Sequence, residues 1–413
     1  MQTGSDFFLF ENDNAKMLYE SYIKDLPAVD LRTALSPGIL SRRTAFSNIS
    51  ELWFCEGSYR QKMFTLAGCE EKYALGKVSD YEKFKEFCRI LPSFIGNPIY
   101  TASHFELIFF FGCDLVISDR TCDEIWELTS ERLFREPLTF EDITRKARIK
   151  KLFFEVSAED APRICENKEI PGYALPLFSP DKELDITKPG SKKRLIKAGI
   201  SDIKDFAKLL FESMDMLERK GCRTAFHRID SAFFAFAPPS EYKAELVLKK
   251  VLTEGAGCLT KEEFSLFKTE MIYILAKEYK RRGWVLQLTF DSAFDAYLLT
   301  DYLTEKEVFP RALISAGHDM FVPRPESCRT VSHGFENAIL SDEHEICICA
   351  QNYPLGSLTP PPSEADSPLA LCHHDLFRRR LANTVTDFTH GLTEEQISHI
   401  LRSVALSNAE KFI

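Results

Sequence analysis

Apolar positions along this chain follow two rhythms. Up to about residue 145 they recur every three or four residues. The opening NAKMLYESYIKDLP is an amphipathic helical segment that stops before the apolar run 27–31. Residues 42–135 keep helical spacing almost throughout, as in Asp80–Ile90 and in 121–133, where Thr121 and Glu124 read as a capping box. From about residue 149 short apolar runs take over, at 151–156, 173–178, 222–227, 285–290, 312–315 and 346–350. Helical stretches such as 200–220 and 261–281 separate them. Buried strands alternating with long helices predict βα units and a parallel sheet. Seven or so strands favour an α/β fold closed as a (β/α)8 TIM barrel, with an open doubly wound sheet as the alternative. No glycine-rich fingerprint comes after any strand, which weakens a dinucleotide or P-loop reading. The proline-rich 356–368 (GSLTPPPSEADSP) predicts a mobile surface connection.

Composition narrows the class without naming a reaction. The 413 residues are 45% apolar and 28% charged, an ordinary globular balance. With 62 acidic against 52 basic side chains, the net charge of −10 argues against nucleic acid or an anionic membrane as partner. Twelve cysteines are scattered without any CxxC, which reads as buried thiols in a reducing cytoplasm. The start lacks a basic and then apolar leader pattern, and the apolar stretch 107–117 carries Asp114 and is too short to span a bilayer. The expectation is a soluble, cytoplasmic protein.

In a barrel of this kind the chemistry belongs at the C-terminal ends of the strands. Those ends carry Asp30, Glu155, Ser179-Pro180-Asp181, His227 and Asp291. Of these, Asp30, Glu155, His227 and Asp291 could converge on one substrate, although a lone carboxylate or histidine there is more often a hydrogen-bonded structural group. Metal sites fare worse. The nine histidines form no HxH, HxxxH or HExxH, and the adjacent His373-His374 point apart. Cys347 and Cys349 share one face of a strand but lack two further ligands nearby, so buried thiols are the better reading.

Several segments, taken in order, resemble the uronate (glucuronate) isomerase family of the amidohydrolase superfamily. FLFENDNAKMLYESYIKDLPAVDLRTALSP resembles that family's opening, where a helix leads into the first strand and an Asp-x-His-x-His-Leu-Ser-Pro motif. YRQKMFTLAGCEEKYALG, IGNPIYTASHFELIFFFG and TCDEIWELTSERL resemble its helical insertion. LPLFSPDKELDI, ERKGCRTAFH, RRGWVLQLTFDSAF, HHDLFRRRLANTV and LSNAEKFI resemble later strands and helices. The resemblance is dense up to Phe290 and blurs between Asp291 and Leu371, where this chain is shorter. It implies one TIM-barrel domain over 1–413 with a helical insertion at 38–145, and a homo-oligomer. It also implies interconversion of D-glucuronate with D-fructuronate, or of D-galacturonate with D-tagaturonate, in a metal-containing pocket.

The family's functional positions do not carry over. Its two strand-one histidines fall on Arg32 and Ala34, and its strand-five histidine falls on Thr289. Its last-strand Asp and Arg fall on Pro360 and Pro362, unless Glu364 or Asp366 substitute. The arginine expected to hold the substrate carboxylate falls on Ser179, and of Ser-Asp-His only His227 remains. The flanking ELW, GNP, PDK, GCR and NAEKF stand. No metal or other cofactor is therefore expected, and the reading is a pseudoenzyme that keeps the barrel and binds a hexuronate or another small sugar acid. The alternatives are an active isomerase with a rearranged site using His227 and Asp291, or a structural subunit pairing with an active paralogue. Candidate substrate contacts are Arg32, Tyr59 and His227. Arg32 is expected to pair internally with Asp30 or Glu155, or else with a sugar acid. His374 matches a histidine on one of the family's last helices, beside Arg378 and Arg379 as structural ion-pair partners.

Overall fold

The computed structural model describes residues 9–55, 58–75, 77–230, 234–290, 293–316, 328–333, 358–360, 363 and 365–411. Among the described residues seven strands form one sheet: β1 Ala28–Thr33, β2 Ile149–Val156, β3 Ala174–Phe178, β4 Thr224–Ile229, β5 Val285–Phe290, β6 Arg311–Ala316 and β7 Cys328–His333. They lie side by side in chain order, every neighbouring pair parallel. Helices such as Ile203–Arg219 and Lys261–Arg282 connect them, as the alternating apolar runs predict. The sheet curls until β1 meets β5 across its concave face, where the Gln287 side-chain amide donates to the Leu31 carbonyl at 2.9 Å. Six of the strands fall on predicted runs. The expected strand at 346–350 lies outside the described residues, and β7 arises instead from CRTVSH, too polar a stretch to register as an apolar run.

Period-two alternation sorts each strand into a concave and a convex face. Leu31, Phe153, Leu177, Phe226 and Leu313 pack together inside the curl, and Leu406 and Ala409 join them from far along the chain. The convex faces, such as Leu152, Phe154, Ala225 and Leu288, join the larger core beneath the helices. β1 breaks the rule. Asp30 lies opposite Leu152 and Thr33 opposite Phe154, so three steps on β1 match two on β2. This bulge re-aims the side chains beyond it.

Helices between β1 and β2, among them Tyr59–Leu66, Asp80–Ile90, Pro98–Phe111 and Cys122–Arg135, share one continuous apolar cluster with the convex face of the sheet. Ser79 and Glu82 form a full capping box at the start of Asp80–Ile90. The box expected at Thr121 and Glu124 does not form. The Thr121 hydroxyl turns back to the Val116 carbonyl and accepts from the Ser118 N–H, holding the preceding turn instead. Nine described cysteines are free thiols. No helix among the described residues is long and apolar enough to cross a membrane.

The proline-rich stretch departs from expectation. Its described residues Leu358, Thr359, Ser363, Ala365 and Ser367 are buried, not displayed on the surface. They are fastened to β1: the Ala34 N–H and the Thr33 hydroxyl donate to the Ala365 carbonyl, and both the N–H and the hydroxyl of Ser363 donate to Asp30.

Candidate functional site

Four strands and the residue that follows β3 present one side chain each at the upper rim of the concave face: Arg32, Glu155, Arg228 and Thr289 from β1, β2, β4 and β5, and Ser179 after β3. Arg32 reaches this face because of the β1 bulge; strict alternation would have left it on the Asp30 side. Its guanidinium lies 3.9 Å from the centre of the Phe226 ring and donates to the Thr289 hydroxyl at 3.4 Å. The Glu155 carboxylate stands 3.8 Å from it. Burial brings the Arg32 pKa down to about 10, so it remains a cation at neutral pH. Of the two expected internal partners Glu155 is the one within ion-pair distance; Asp30 accepts from the N–H and hydroxyl of Ser363 and from the backbone N–H of Arg32, with His374 at 3.6 Å.

Glu155 faces a cavity of about 830 Å³ above β2, β3 and β4, walled also by Asp181, Lys268 and Phe264. Its side chain keeps 39% of its exposure, but desolvation by the surrounding walls still pushes its pKa up. The opposing pull of Arg32 and a hydrogen bond from Ser179 do not reverse that shift. Asp181 moves the other way. Burial alone would raise it, yet Lys268, His227 and the Arg228 N–H together hold it below the ordinary carboxylate range.

His227 is not a cavity residue. It is fully buried on the convex face of β4, its Nδ1 2.8 Å from Asp181 and its Nε2 3.0 Å from the Tyr279 hydroxyl. A residue held between a helix and a carboxylate cannot touch a ligand, so its expected catalytic or substrate contact is replaced by a role in orienting Asp181. Arg228, one position on, takes the concave face. Tyr59 is likewise a scaffold group. Its N–H donates to Asp366 of the proline-rich stretch, and its hydroxyl accepts from the Asn97 amide within the inserted helices. Asp291, Pro362 and Glu364 lie outside the described residues. Sequence patterning does not group Asp181, Arg228 and Lys268, although alternation from Phe226 is a signal that flags Arg228.

The resemblance implies a divalent metal at Arg32, Ala34, Thr289 and Pro360. Those residues do not fit one. A guanidinium repels a cation, alanine and proline offer no side-chain donor, and the threonine hydroxyl is engaged by Arg32. Among the described residues no three His, Cys, Asp or Glu side chains are grouped to hold a metal ion.

A second arginine–glutamate pair lies outside the rim. Arg60 of Tyr59–Leu66 and Glu106 of Pro98–Phe111 meet at 2.8 Å, both fully buried. Glu106 also accepts from the Trp53 indole at 2.5 Å and contacts His373 at 2.8 Å. Burial would raise its pKa, but Arg60 and His373 hold it down.

Residues 1–298 match the family model described as glucuronate isomerase. The uronate isomerase of Caldanaerobacter subterraneus subsp. tengcongensis is 34% identical over 291 residues, covering 68% of this chain and 62% of that protein. That of Caldicellulosiruptor bescii is 34% identical over 291 residues, covering 68% and 61%. The chain thus matches less than two thirds of the length of these curated relatives. Among solved structures, uronate isomerase from Thermotoga maritima superposes with a TM-score of 0.84 at 21% identity, covering 100% of this chain and 99% of that one. Glucuronate isomerase from Caulobacter crescentus gives 0.80 at 14%, covering 98% and 95%. At these identities the two structures speak for the fold alone.

Proposed function

This chain belongs to the glucuronate isomerase family, and on that premise we propose that it is a catalytically silent member, keeping the scaffold and a sugar-sized cavity without the aldose–ketose chemistry. The carrying observation is Arg32. Its guanidinium is fixed by Phe226 and Thr289 at positions where the resemblance puts metal ligands. Two unit charges of like sign 4 Å apart in an intermediate dielectric repel by about 4 kcal/mol, and a divalent ion doubles that. A side chain anchored on a ring and a hydroxyl cannot swing aside without losing both contacts.

We also infer a closed eight-stranded barrel whose last strand lies against β1 near Ala365; the hydrogen bonds from Ala34 and Thr33 to the Ala365 carbonyl support it. Homo-oligomers and cytoplasmic residence accompany this reading.

A second reading keeps an active but rearranged site. It draws on Glu155 and Asp181, two carboxyls on one cavity whose pKa values move in opposite directions. That is the pattern of an acid paired with a base. A coupled assay on D-glucuronate and D-galacturonate with added Zn2+ or Mn2+, together with metal analysis of the purified protein, separates the two. The silent reading expects no turnover and substoichiometric metal; measurable turnover would overturn it.

A further inference from the structure

The opposite end of the sheet, where the strands begin, holds a smaller cavity of about 130 Å³ on the concave face, bounded by side chains of β1 to β6. A barrel of this kind ordinarily fills its interior with layers of side chains. A space of about 10–15 Å³ already admits a water, whereas sites for larger ligands start at about 300 Å³. This one fits a molecule of a few non-hydrogen atoms.

Its walls carry charge of one sign. Phe153, Leu175, Val285 and Leu313 supply apolar surface, and the titratable side chains among the described lining residues are both cations, Lys151 and Arg223. Arg223 is committed: it lies 3.3 Å from Glu218 and donates to the Glu218 and Cys222 carbonyls. Lys151 is half-buried and makes no hydrogen bond or ion pair among the described residues. Acids near the strand starts are taken up by other cations, Asp25 by Arg148, Glu410 by Lys150, and Glu218 by Arg223 and Arg282. The Lys151 ammonium is thus positive charge that no bonded carboxylate offsets.

Gln287 adds a second, independent demand. It is 7% exposed. Its amide N–H groups go to the Leu31 carbonyl at 2.9 Å and the Thr224 hydroxyl oxygen at 3.5 Å, and that hydroxyl donates in turn to the Val285 carbonyl. The Gln287 carbonyl oxygen accepts from no described residue, which leaves an acceptor without a donor on a residue that lines the cavity. A simple carboxylate would leave that acceptor unpaired, and a neutral alcohol would leave Lys151 uncompensated. A carboxylate that also carries a hydroxyl answers both, and a short carbon chain meets the apolar wall.

We propose that this cavity binds a short hydroxycarboxylate, of the lactate or glycolate class, with Lys151 pairing its carboxylate and Gln287 accepting from its hydroxyl. The inference does not rest on the silent reading: turnover of D-glucuronate would end that reading and leave this site as it is.

Three short ligands isolate the two contacts: lactate, propionate, which lacks the hydroxyl, and lactamide, which lacks the charge. Each is titrated into the full chain with labelled Leu and Val methyls, at pH 7.5, low salt and in a carboxylate-free buffer. Lactate should bind about fivefold tighter than propionate and about tenfold tighter than lactamide, and should shift the methyl signals of Leu175, Val285 and Leu313. Lys151→Met should bring lactate down to the affinity of lactamide, Lys151→Arg should keep most of it, and Glu155→Gln, in the other cavity, should change nothing. Propionate or lactamide equal to lactate, no binding of any of the three, shifts confined to the Glu155 cavity, or an affinity indifferent to Lys151→Met would each overturn the proposal. If Lys151→Met fails to fold, the order of the three ligands and the place of the shifts on the unmodified chain decide alone.

Discussion

Two glutamates in this molecule each have an arginine opposite, and they behave in contrary ways. Glu106 meets Arg60 at 2.8 Å, is bonded also by Trp53 and His373, and is held below the ordinary carboxylate range. Glu155 has Arg32 at 3.8 Å, a single serine hydroxyl and an open cavity, and is pushed above that range. The residue types are the same; the completeness of their hydrogen bonding is not. A buried carboxylate with all its partners present ties elements together, and here it joins the inserted helices to the helix His373–Thr386. One left partly bonded at a cavity wall retains capacity for something that arrives from outside.

The strongest test of that contrast is Arg60→Met. It strands Glu106 in the core and should cost about 3–5 kcal/mol in urea denaturation. Arg32→Met should cost far less, within about 1 kcal/mol, because Glu155 can still be solvated from the cavity. Equal costs for the two would end the distinction. Between them lies His227→Phe, expected to cost about 1–3 kcal/mol since it leaves Asp181 and the Tyr279 hydroxyl each short of a partner.

The smallest effects are in pH dependence, and their signs oppose. With its folded pKa lowered, Glu106 stabilises above its ordinary value of 4.5, and that stability is lost as pH falls through the lowered folded value. With its folded pKa raised, Glu155 makes folding less favourable as pH climbs from 4.5 through its higher folded value. Urea midpoints across that range should therefore fall less steeply with rising pH in Glu155→Gln than in the parent, and the variant should be slightly more stable at neutral pH, by under about 1 kcal/mol. An unchanged slope would show that Glu155 is no less well bonded than Glu106.

Much of the sheet is legible in the sequence because its signals are local. Apolar runs at 151–156 and 285–290 mark β2 and β5 within two residues, and Asp80–Ile90 carries its own cap. The rim is only half legible. Glu155 and Ser179 come from strand ends, but a strand-end reading of His227 puts it on the wrong face: alternation from the buried Phe226 gives the concave face to Arg228 instead. Arg32 cannot be placed by alternation at all, because the β1 bulge inverts it. The Arg60–Glu106–His373 network joins residues 46 and 267 positions apart, and no periodicity in the chain encodes such a meeting.

The inner packing of β1 has a consequence in time. Its Asp30 is fastened by Ser363, 333 residues later, and its Val29 and Leu31 pack with Leu406 and Ala409. During synthesis those partners emerge on the order of tens of seconds after β1 itself. Until then the strand must wait with an unpaired edge, beside helices that can already assemble their own core. Translation speed through the second half of the message, and any chaperone that shields that edge meanwhile, should thus govern the yield of this protein more than the rate at which its helices form.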